Sequence, residues 1–488
     1  MKQLSILLAA LVLAGCAVGP DFKAPAPEAP ADFSTWHGGS AELVDAQARS
    51  ATGTLVGWSA FTDPVLDALL ARALAANHDL QSAALRFAQS RVQRSVAEAQ
   101  RGPQLNASAG VTRQRQSEVG SATRLVDALN PNNREQLIGV LSEPHNLYQA
   151  GFDATWELDL WGRVRRSIES ADADVAASQA LLAQVQLSVQ SELARNYVEL
   201  RTTQRQLQLT RDDIAASEET LSLVRARADG GLTTDLDVTR QAAQAAELRA
   251  RLPQLLAQEA RAINQITLLT GDRPGALQAQ LAAPADAAAG TLPDLSPGLP
   301  SEAALRRPDI RRAEAQLHAA TAGVGVAVAD LYPRITLGAR FGFESVGSRD
   351  FGEWGSRQWS VGPSLQLPIF DGGRRRSTVT LRELQQQEAA VAYQQTVLKA
   401  WHEIDDALSA YTADRQRQLQ LAEKERHSRD AWTLARVRYE HGLTDFLVQL
   451  DAQRTLLQAQ RDQVENGGRL ALDLVALTKA LGGPGAAP

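Results

Sequence analysis

From residue 150 onward the chain spells out a pattern of roughly 200 residues and then repeats it. "GLTTDLD" at Gly231–Asp237 returns as "GLTDFLV" at Gly442–Val448. At an offset of 211, six of the twelve positions from Arg225 to Leu236 are identical. "QRQLQL" stands at Gln204–Leu209 and again at Gln416–Leu421. "WGRVRRS" at Trp161–Ser167 matches "DGGRRRS" at Asp371–Ser377, and "RGPQLNASAG" from Arg101 echoes "LYPRITLGAR" from Leu331. A tandem duplication restricts the fold to a pseudo-symmetric architecture built from one unit used twice.

The long segments between the repeated motifs are helical in pattern. Gly162–Asp229 contains no proline and one glycine, at its start. Leu193, Leu200, Leu207, Ile214 and Leu221 recur at sevens, with Leu182 and Val189 as a second row. That is a coiled-coil period sustained over roughly 100 Å of helix. Arg374–His441 repeats it, with Ile404, Leu408, Tyr411 and Leu419 in its apolar stripe. Each long helix is followed by Gly-Leu-Thr and a shorter helix, Asp235–Thr270 or Asp445–Leu481. A further helix runs from Pro64 to a stop at Gly102–Pro103. Two short helices laid end to end match one long one, as in the staves of a barrel. The other faces carry Gln, Arg, Asp and Ala, so water wets much of their length. A fibrous or dimeric coiled coil shares this pattern.

Four stretches between the helices change period to two. In Tyr148–Leu160 the even positions are Tyr, Ala, Phe, Ala, Trp, Leu and Leu, and the odd ones are Gln, Gly, Asp, Thr, Glu and Asp. Ile335–Glu344, Trp359–Phe370 and Leu105–Thr112 alternate similarly. A half-buried soluble sheet alternates in this way, and so does a transmembrane strand of about ten residues. Taken singly each strand fits either setting; four of matching length, together with the lipobox at Leu13–Cys16, favour the membrane. They cannot close a conducting barrel alone, because open edges in hydrocarbon cost several kcal/mol per unpaired amide. Three chains would supply about twelve strands.

The first residues read as a targeting segment. Lys2 supplies positive charge and Leu4–Ala14 is an apolar run too short to span a bilayer. It ends in "LAGC", Leu13–Cys16, which looks like a bacterial lipobox, and Cys16 is the only cysteine. Lipidation of Cys16 is expected, with Ala17 favouring the outer membrane. A single cysteine excludes an intramolecular disulfide, and a net charge of −6 with mixed signs argues against nucleic acid. No GxSxG, HExxH or CxxC motif occurs, and His402–Glu403 is followed by Asp406 where a zinc helix needs histidine. The expected organisation is a signal peptide over 1–15, an anchored tether over 16–60, repeats over 61–275 and 301–483, a linker over 276–300, and a tail over 484–488.

Together these residues resemble the TolC-like outer-membrane factors, in the lipoprotein efflux branch (OprM- or NodT-like). The resemblance rests on Leu13–Cys16, "ELDLWGR" at Glu157–Arg163, "RRPDIRRAE" at Arg306–Glu314, "LYPRITL" at Leu331–Leu337, "YEHGLTDFLVQLDAQRTLLQAQ" at Tyr439–Gln460 and "KALGG" at Lys479–Gly483. It implies a mainly helical chain with a transmembrane β portion, assembled as a homotrimer. A 12-stranded barrel would continue into a periplasmic helical barrel docked on an adaptor and an inner-membrane pump, in this branch of the RND type. The channel would be no enzyme and need no cofactor beyond lipid on Cys16. A type I secretion channel would share the fold.

The resemblance also places function on particular residues. Gly231, Leu232, Thr233, Gly442, Leu443 and Thr444 form helix tips that contact the adaptor. Leu447 and Asp451, four apart on one helix face, match residues at the closed periplasmic end, and Tyr439 matches a tyrosine that ties closed tips together. Relatives with that tie carry arginine where Thr444 stands and aspartate where Val448 stands, so the holding of the closed state differs here.

Overall fold

The computed structural model describes residues 17–26, 33, 36–44, 57–120, 134–282 and 306–483. The chain divides into two units. The first comprises Met1–Lys23, Ser90–Val175 and Gln316–Ala389, and the second Ala24–Gln89, Ala176–Ala315 and Ala390–Pro488.

The duplication is visible in the helix bounds. Helices α1 (Pro64–Ala76) and α2 (His78–Ala99) lead to strand β1 (Gln104–Gln114). Helix α3 (Arg134–Ser142) and strand β2 (His145–Glu157) follow, then α4 (Arg163–Asp229), α5 (Asp235–Leu269) and α6 (Gln278–Ala282). The second copy runs α7 (Pro308–Ala329), β3 (Arg334–Ser345), β4 (Arg357–Gln366), α8 (Arg374–Glu440) and α9 (Phe446–Ala480). Helices α4 and α8 each have 67 residues, α5 and α9 each 35, and both pairs are offset by 211. No helix among the described residues is long and apolar enough to cross a membrane.

In the first unit the four strands form one antiparallel sheet in the order β1-β2-β3-β4. The register brings every apolar row into phase. Ala107, Phe152, Phe341 and Trp359 lie across one face, as do Leu105, Ala154, Ala339 and Val361. The other face carries Asn106, Asp153, Arg340 and Ser360 in one row. Asn106 Nδ2 donates to Asp153 at 3.2 Å and Gln149 Nε2 to Glu344 at 2.7 Å on that polar face. Gly151 and Gly342 pair on it, and a Cβ on Gly151 would stand 2.7 Å from the Phe341 carbonyl oxygen. Only glycine permits this approach of β2 to β3.

Strand ends differ from the expected ones for identifiable reasons. β2 stops at Glu157 rather than Leu160 because Asp159 turns to the next helix, accepting the Val164 and Arg165 amides at 3.1 and 2.8 Å. Glu157 holds Arg163 through two bonds of 2.8 Å, which fixes the turn from strand to helix. β4 ends at Gln366, short of Phe370, since Pro368 has no amide to donate. The continuous helix expected from Pro64 breaks at Asn77, whose backbone is extended. Its side chain donates to the Leu269 carbonyl at 3.0 Å and accepts the Leu80 amide at 3.0 Å, so it caps α2 instead of extending α1.

In the second unit α4 buries Leu193, Leu200, Leu207 and Leu221, as the heptad predicts, but Ile214 is only partly buried and Asp213 lies inside beside it. On α8 the core positions Ile404, Leu408 and Tyr411 stand 211 residues from Leu193, Tyr197 and Leu200. The expected Leu419 is 65 % exposed, and Leu421 is buried in its place. The two "QRQLQL" copies are offset by 212, one residue out of step with the helices. One residue rotates a side chain by about 100° around a helix. Asp63 ties the first core together, capping α1 through Val65 and Leu66 and accepting the Tyr197 hydroxyl at 2.6 Å.

Two carboxyls in this unit sit against their solvation preference. Burial pushes Asp213 up to about 6, against the pull of Arg461. Burial and then Asp414 push Asp473 on α9 up to about 7. An acid raised in the folded state binds more protons folded than unfolded. The stability it contributes is therefore complete below its unfolded value, about 4, and lost as pH rises through 6 to 7. Asp473→Asn is predicted to raise the thermal midpoint by roughly 2–4 °C at about pH 8 and to flatten its pH dependence. An unchanged slope in thermal melts between about pH 5 and 8 would contradict this.

Candidate functional site

Both helix tips close with the same backbone device. At the end of α4 the Leu232 amide donates to the Arg227 carbonyl at 2.8 Å and the Gly231 amide to Ala228 at 2.9 Å. At the end of α8 the Leu443 amide reaches Arg438 at 2.8 Å and Gly442 reaches Tyr439 at 3.0 Å. These paired bonds need a left-handed residue between them, and Gly231 (φ 72°) and Gly442 (φ 70°) supply it. Leu232 and Leu443 follow and are exposed.

Side chains separate the two tips. At the first, the Thr233 and Thr234 hydroxyls donate to Asp237 at 2.8 and 3.1 Å. At the second, Thr444 remains but Asp445 and Val448 occupy the corresponding positions, so the hydroxyl–carboxylate bond has no counterpart. Apolar packing takes its place. Tyr439, Phe446, Leu450 and Val224 form a buried cluster against Val238. The Tyr439 and Phe446 rings meet edge to face at 5.4 Å, and the Arg227 guanidinium lies 4.6 Å over the Tyr439 ring. The Tyr439 hydroxyl is buried and makes no hydrogen bond among the described residues. It holds α8 to α4 by its ring face.

Leu447 and Asp451 stand on the opposite side of α9. Both are exposed, and the exposed stripe continues through Arg454, Thr455 and Gln458, while Phe446, Leu450, Gln453 and Leu457 face inward. The structure thus brings Tyr439 to the core of the tip and leaves Leu447 and Asp451 on a free face. Phe446, Leu450 and Arg227 were not singled out in the sequence, although Phe446 and Leu450 are themselves spaced by four. Offset 211 also pairs Leu447 with Leu236 and Asp451 with Arg240, a correspondence of opposite charge. Arg454 Nε donates to Gln244 at 2.7 Å, which sets α9 level with α5.

At the other end of α4, residues just beyond Cys16 have a built seat in the first unit. Cys16 itself lies outside the described residues. The Val18 amide donates to the Trp161 carbonyl at 3.1 Å, where β2 gives way to α4. Asp21 pairs with the buried Arg166 at 2.5 Å, and Phe22 stacks on His318 at 4.2 Å. Trp161 in turn stacks on Tyr332 at 4.8 Å, and its indole donates to the Pro333 carbonyl at 2.9 Å.

A duplicated coiled coil, an amphipathic sheet with two open edges and paired tips together define one class of protein. The model of the family described as "Outer membrane efflux protein" matches residues 69–272 and 299–483. Outer membrane protein OprJ of Pseudomonas aeruginosa is 34 % identical over 481 residues, 98 % of this chain and 95 % of that protein. The toluene efflux pump outer membrane protein TtgI of Pseudomonas putida is 31 % identical over 98 % of this chain and 97 % of its own length. The pyoverdine export outer membrane protein OpmQ of Pseudomonas aeruginosa is 33 % identical, with 99 % and 97 % covered. Among solved structures the outer-membrane channel OprN superposes with a TM-score of 0.85 at 34 % identity, covering 96 % of this chain and 99 % of that one. The open state of the Neisseria gonorrhoeae MtrE channel superposes at 0.78 with 28 % identity, over 96 % and 98 %. The chain belongs to the outer membrane efflux protein family. It is an outer-membrane efflux channel protein and not an enzyme.

Proposed function

We propose that three copies of this chain form the outer-membrane exit duct of a tripartite efflux pump, working with a periplasmic adaptor and an inner-membrane pump of the RND type. The observation that carries this reading is the sheet with an apolar face and two edges, β1 and β4, that are unpaired among the described residues. Alternating strand directions let β4 of one copy pair antiparallel with β1 of the next, so three copies close twelve strands without an edge. The helices beside those edges support the same seam. Arg94–Asp172 links α2 to α4, Ser170 bonds the Ala319 carbonyl of α7, and Ile310 and Ala313 of α7 pack on Tyr393 and Val397 of α8. That leaves α2 and α8 outermost, and each presents a bare apolar stripe. Leu85, Val92 and Val96 line α2, and Leu381, Leu384, Val391 and Leu398 line α8. Packing one stripe on the other buries both.

Cargo is a small molecule, as the relatives named for toluene and pyoverdine suggest, and passes passively. Leu447 and Asp451 gate the periplasmic end, where three-fold symmetry makes a leucine ring that excludes water beside a ring of carboxylates. Tyr439 holds the closed tip by its ring contacts with Arg227 and Phe446 instead of by ion pairs. The exposed Leu232 and Leu443, on turns shaped by Gly231, Thr233, Gly442 and Thr444, dock on the adaptor. Opening is a population shift, in which the adaptor binds dilated tips better than closed ones. Lipid on Cys16 anchors the strap whose seat ends at the strand–helix junction.

In planar bilayers the purified wild-type protein is expected to conduct poorly. Leu447→Ser and Asp451→Ala are expected to raise single-channel conductance severalfold or weaken cation preference, without dissociating the trimer. Leu443→Asp is expected to leave conductance unchanged and to abolish export in cells. If both gate variants conduct like wild type, these residues do not form the gate. For the anchor, intact mass of the mature protein is expected to show loss of residues 1–15 and added acyl mass on Cys16. A mature terminus elsewhere rules out that anchor.

A further inference from the structure

Beyond the gate, α5, α8 and α9 border an open pocket of about 370 Å³ in the second unit. Four cationic side chains line it: Arg251 of α5, Lys424 of α8, and Arg454 and Arg461 of α9. Glu247 is its one carboxylate wall, and it pairs with Arg251 at 2.6 Å. Lys424 is held from behind by Asp462 at 2.8 Å. The two arginines of α9 are less well matched. Arg454 Nε finds only the neutral amide of Gln244. Arg461 bonds the Gln458 amide oxygen at 3.1 Å, and its Nε and Nη1 are buried without a hydrogen-bond partner. The nearest carboxylate to it, Asp213, is 3.9 Å away, too far for a hydrogen bond. Burial, and then the neighbouring Arg251 charge, hold the Arg461 guanidinium below the usual arginine range. Like charges crowded into a concave site with unsatisfied donors are what an entering anion relieves.

We infer that this pocket is a binding station for an oxyanion — a carboxylate, phosphate or sulfonate group — with Arg454 and Arg461 as the principal donors. Arg251 and Lys424 supply field from the opposite walls. Glu247 limits the affinity, so that an exported anion can leave again.

Where the station lies rests on the proposed gate. Arg454, Gln458 and Arg461 continue the helix stripe that begins at Leu447 and Asp451. With a rise of about 1.5 Å per residue, Arg454 stands about 5 Å and Arg461 about 15 Å beyond Asp451. If the stripe lines the passage, an acidic ring at the mouth is followed by a basic one inside. Anionic cargo that has passed the gate then meets a favourable site instead of a uniformly negative wall.

The test uses the full-length protein in detergent and inorganic pyrophosphate as the probe, titrated calorimetrically at low chloride. Saturable binding is expected in the wild type and should weaken as sodium chloride is added. Arg454→Gln and Arg461→Gln should each weaken it about tenfold, the scale of one charge-assisted hydrogen bond. Glu247→Gln should strengthen it. Arg454 is exposed, so its variant tests the site even if changing the half-buried Arg461 unfolds the tip. No saturable binding to the wild type, or binding indifferent to Arg454→Gln, overturns the inference. Single-channel recording then separates the station from its location. Pyrophosphate should reduce current in the wild type and not in Arg461→Gln. Binding in solution with no effect on current from either side keeps the anion site and overturns the passage-facing assignment.

Discussion

Unpaired backbone amides cannot be left in hydrocarbon, and the design of this chain follows from that constraint. Its sheet satisfies every interior ladder, yet among the described residues β1 and β4 each lack a neighbour within the chain. In water such edges are tolerated with charges or proline. Beside lipid each open group costs several kcal/mol. The apolar rows through Phe152, Phe341 and Trp359 are in phase across all four strands, so one face suits lipid and the other water. A sheet with that pair of faces and two open edges is completed by further copies of itself. In the proposed trimer the bare stripes on α2 and α8 carry the same logic onto the helices, where burial of side chains replaces backbone pairing.

Duplication supplies the second ordering principle. Equal lengths and a common offset of 211 in the long and short helices give each core position a twin, as Leu193 has in Ile404 and Leu200 in Tyr411. The proposed gate lies where the twins diverge. Asp237 fastens the first tip, whereas Val448 in its place leaves the second tip to the packing of Tyr439 and Phe446. Apolar contact is less directional than a hydrogen bond to a carboxylate, so the second tip can repack at lower cost. Arg240 in the repeat position of Asp451 is a second divergence, a change of charge sign between the two copies.

Much of this was legible in the residues because periodicity reports burial directly. The four strands, both long helices and the Gly-Leu-Thr turns follow from periods of two and seven and from glycine. What the pattern hid was local competition. Asn77 has side-chain bonds to offer in both directions and so breaks a helix that its apolar neighbours would continue. Leu419 belongs to a repeated hexapeptide that had slipped one residue from the helical register, and similarity of letters concealed a rotation of face. Asp213 lies inside where the heptad would put Ile214, with Arg461 of another helix 3.9 Å from it, a neighbour no single segment encodes. At the site, spacing gave Leu447 and Asp451 a shared face. It could not reveal that Tyr439 is buried, since its partners Val224 and Arg227 come from the other copy of the repeat.

In the proposed trimer β4 and α8 of one copy close against β1 and α2 of the next. Val92 lies seven residues before the end of α2, and Leu381 seven after the start of α8, each about 10 Å along its helix from the end that joins its strand. The proposed seam sets them side by side. Full-length protein carrying Val92→Cys and Leu381→Cys together, treated in membranes with a short bismaleimide, should run as covalent dimers and trimers, and each single variant as a monomer. Monomer alone from the double variant, with both thiols shown to be reactive, would contradict the seam and with it the closure of the barrel by three chains.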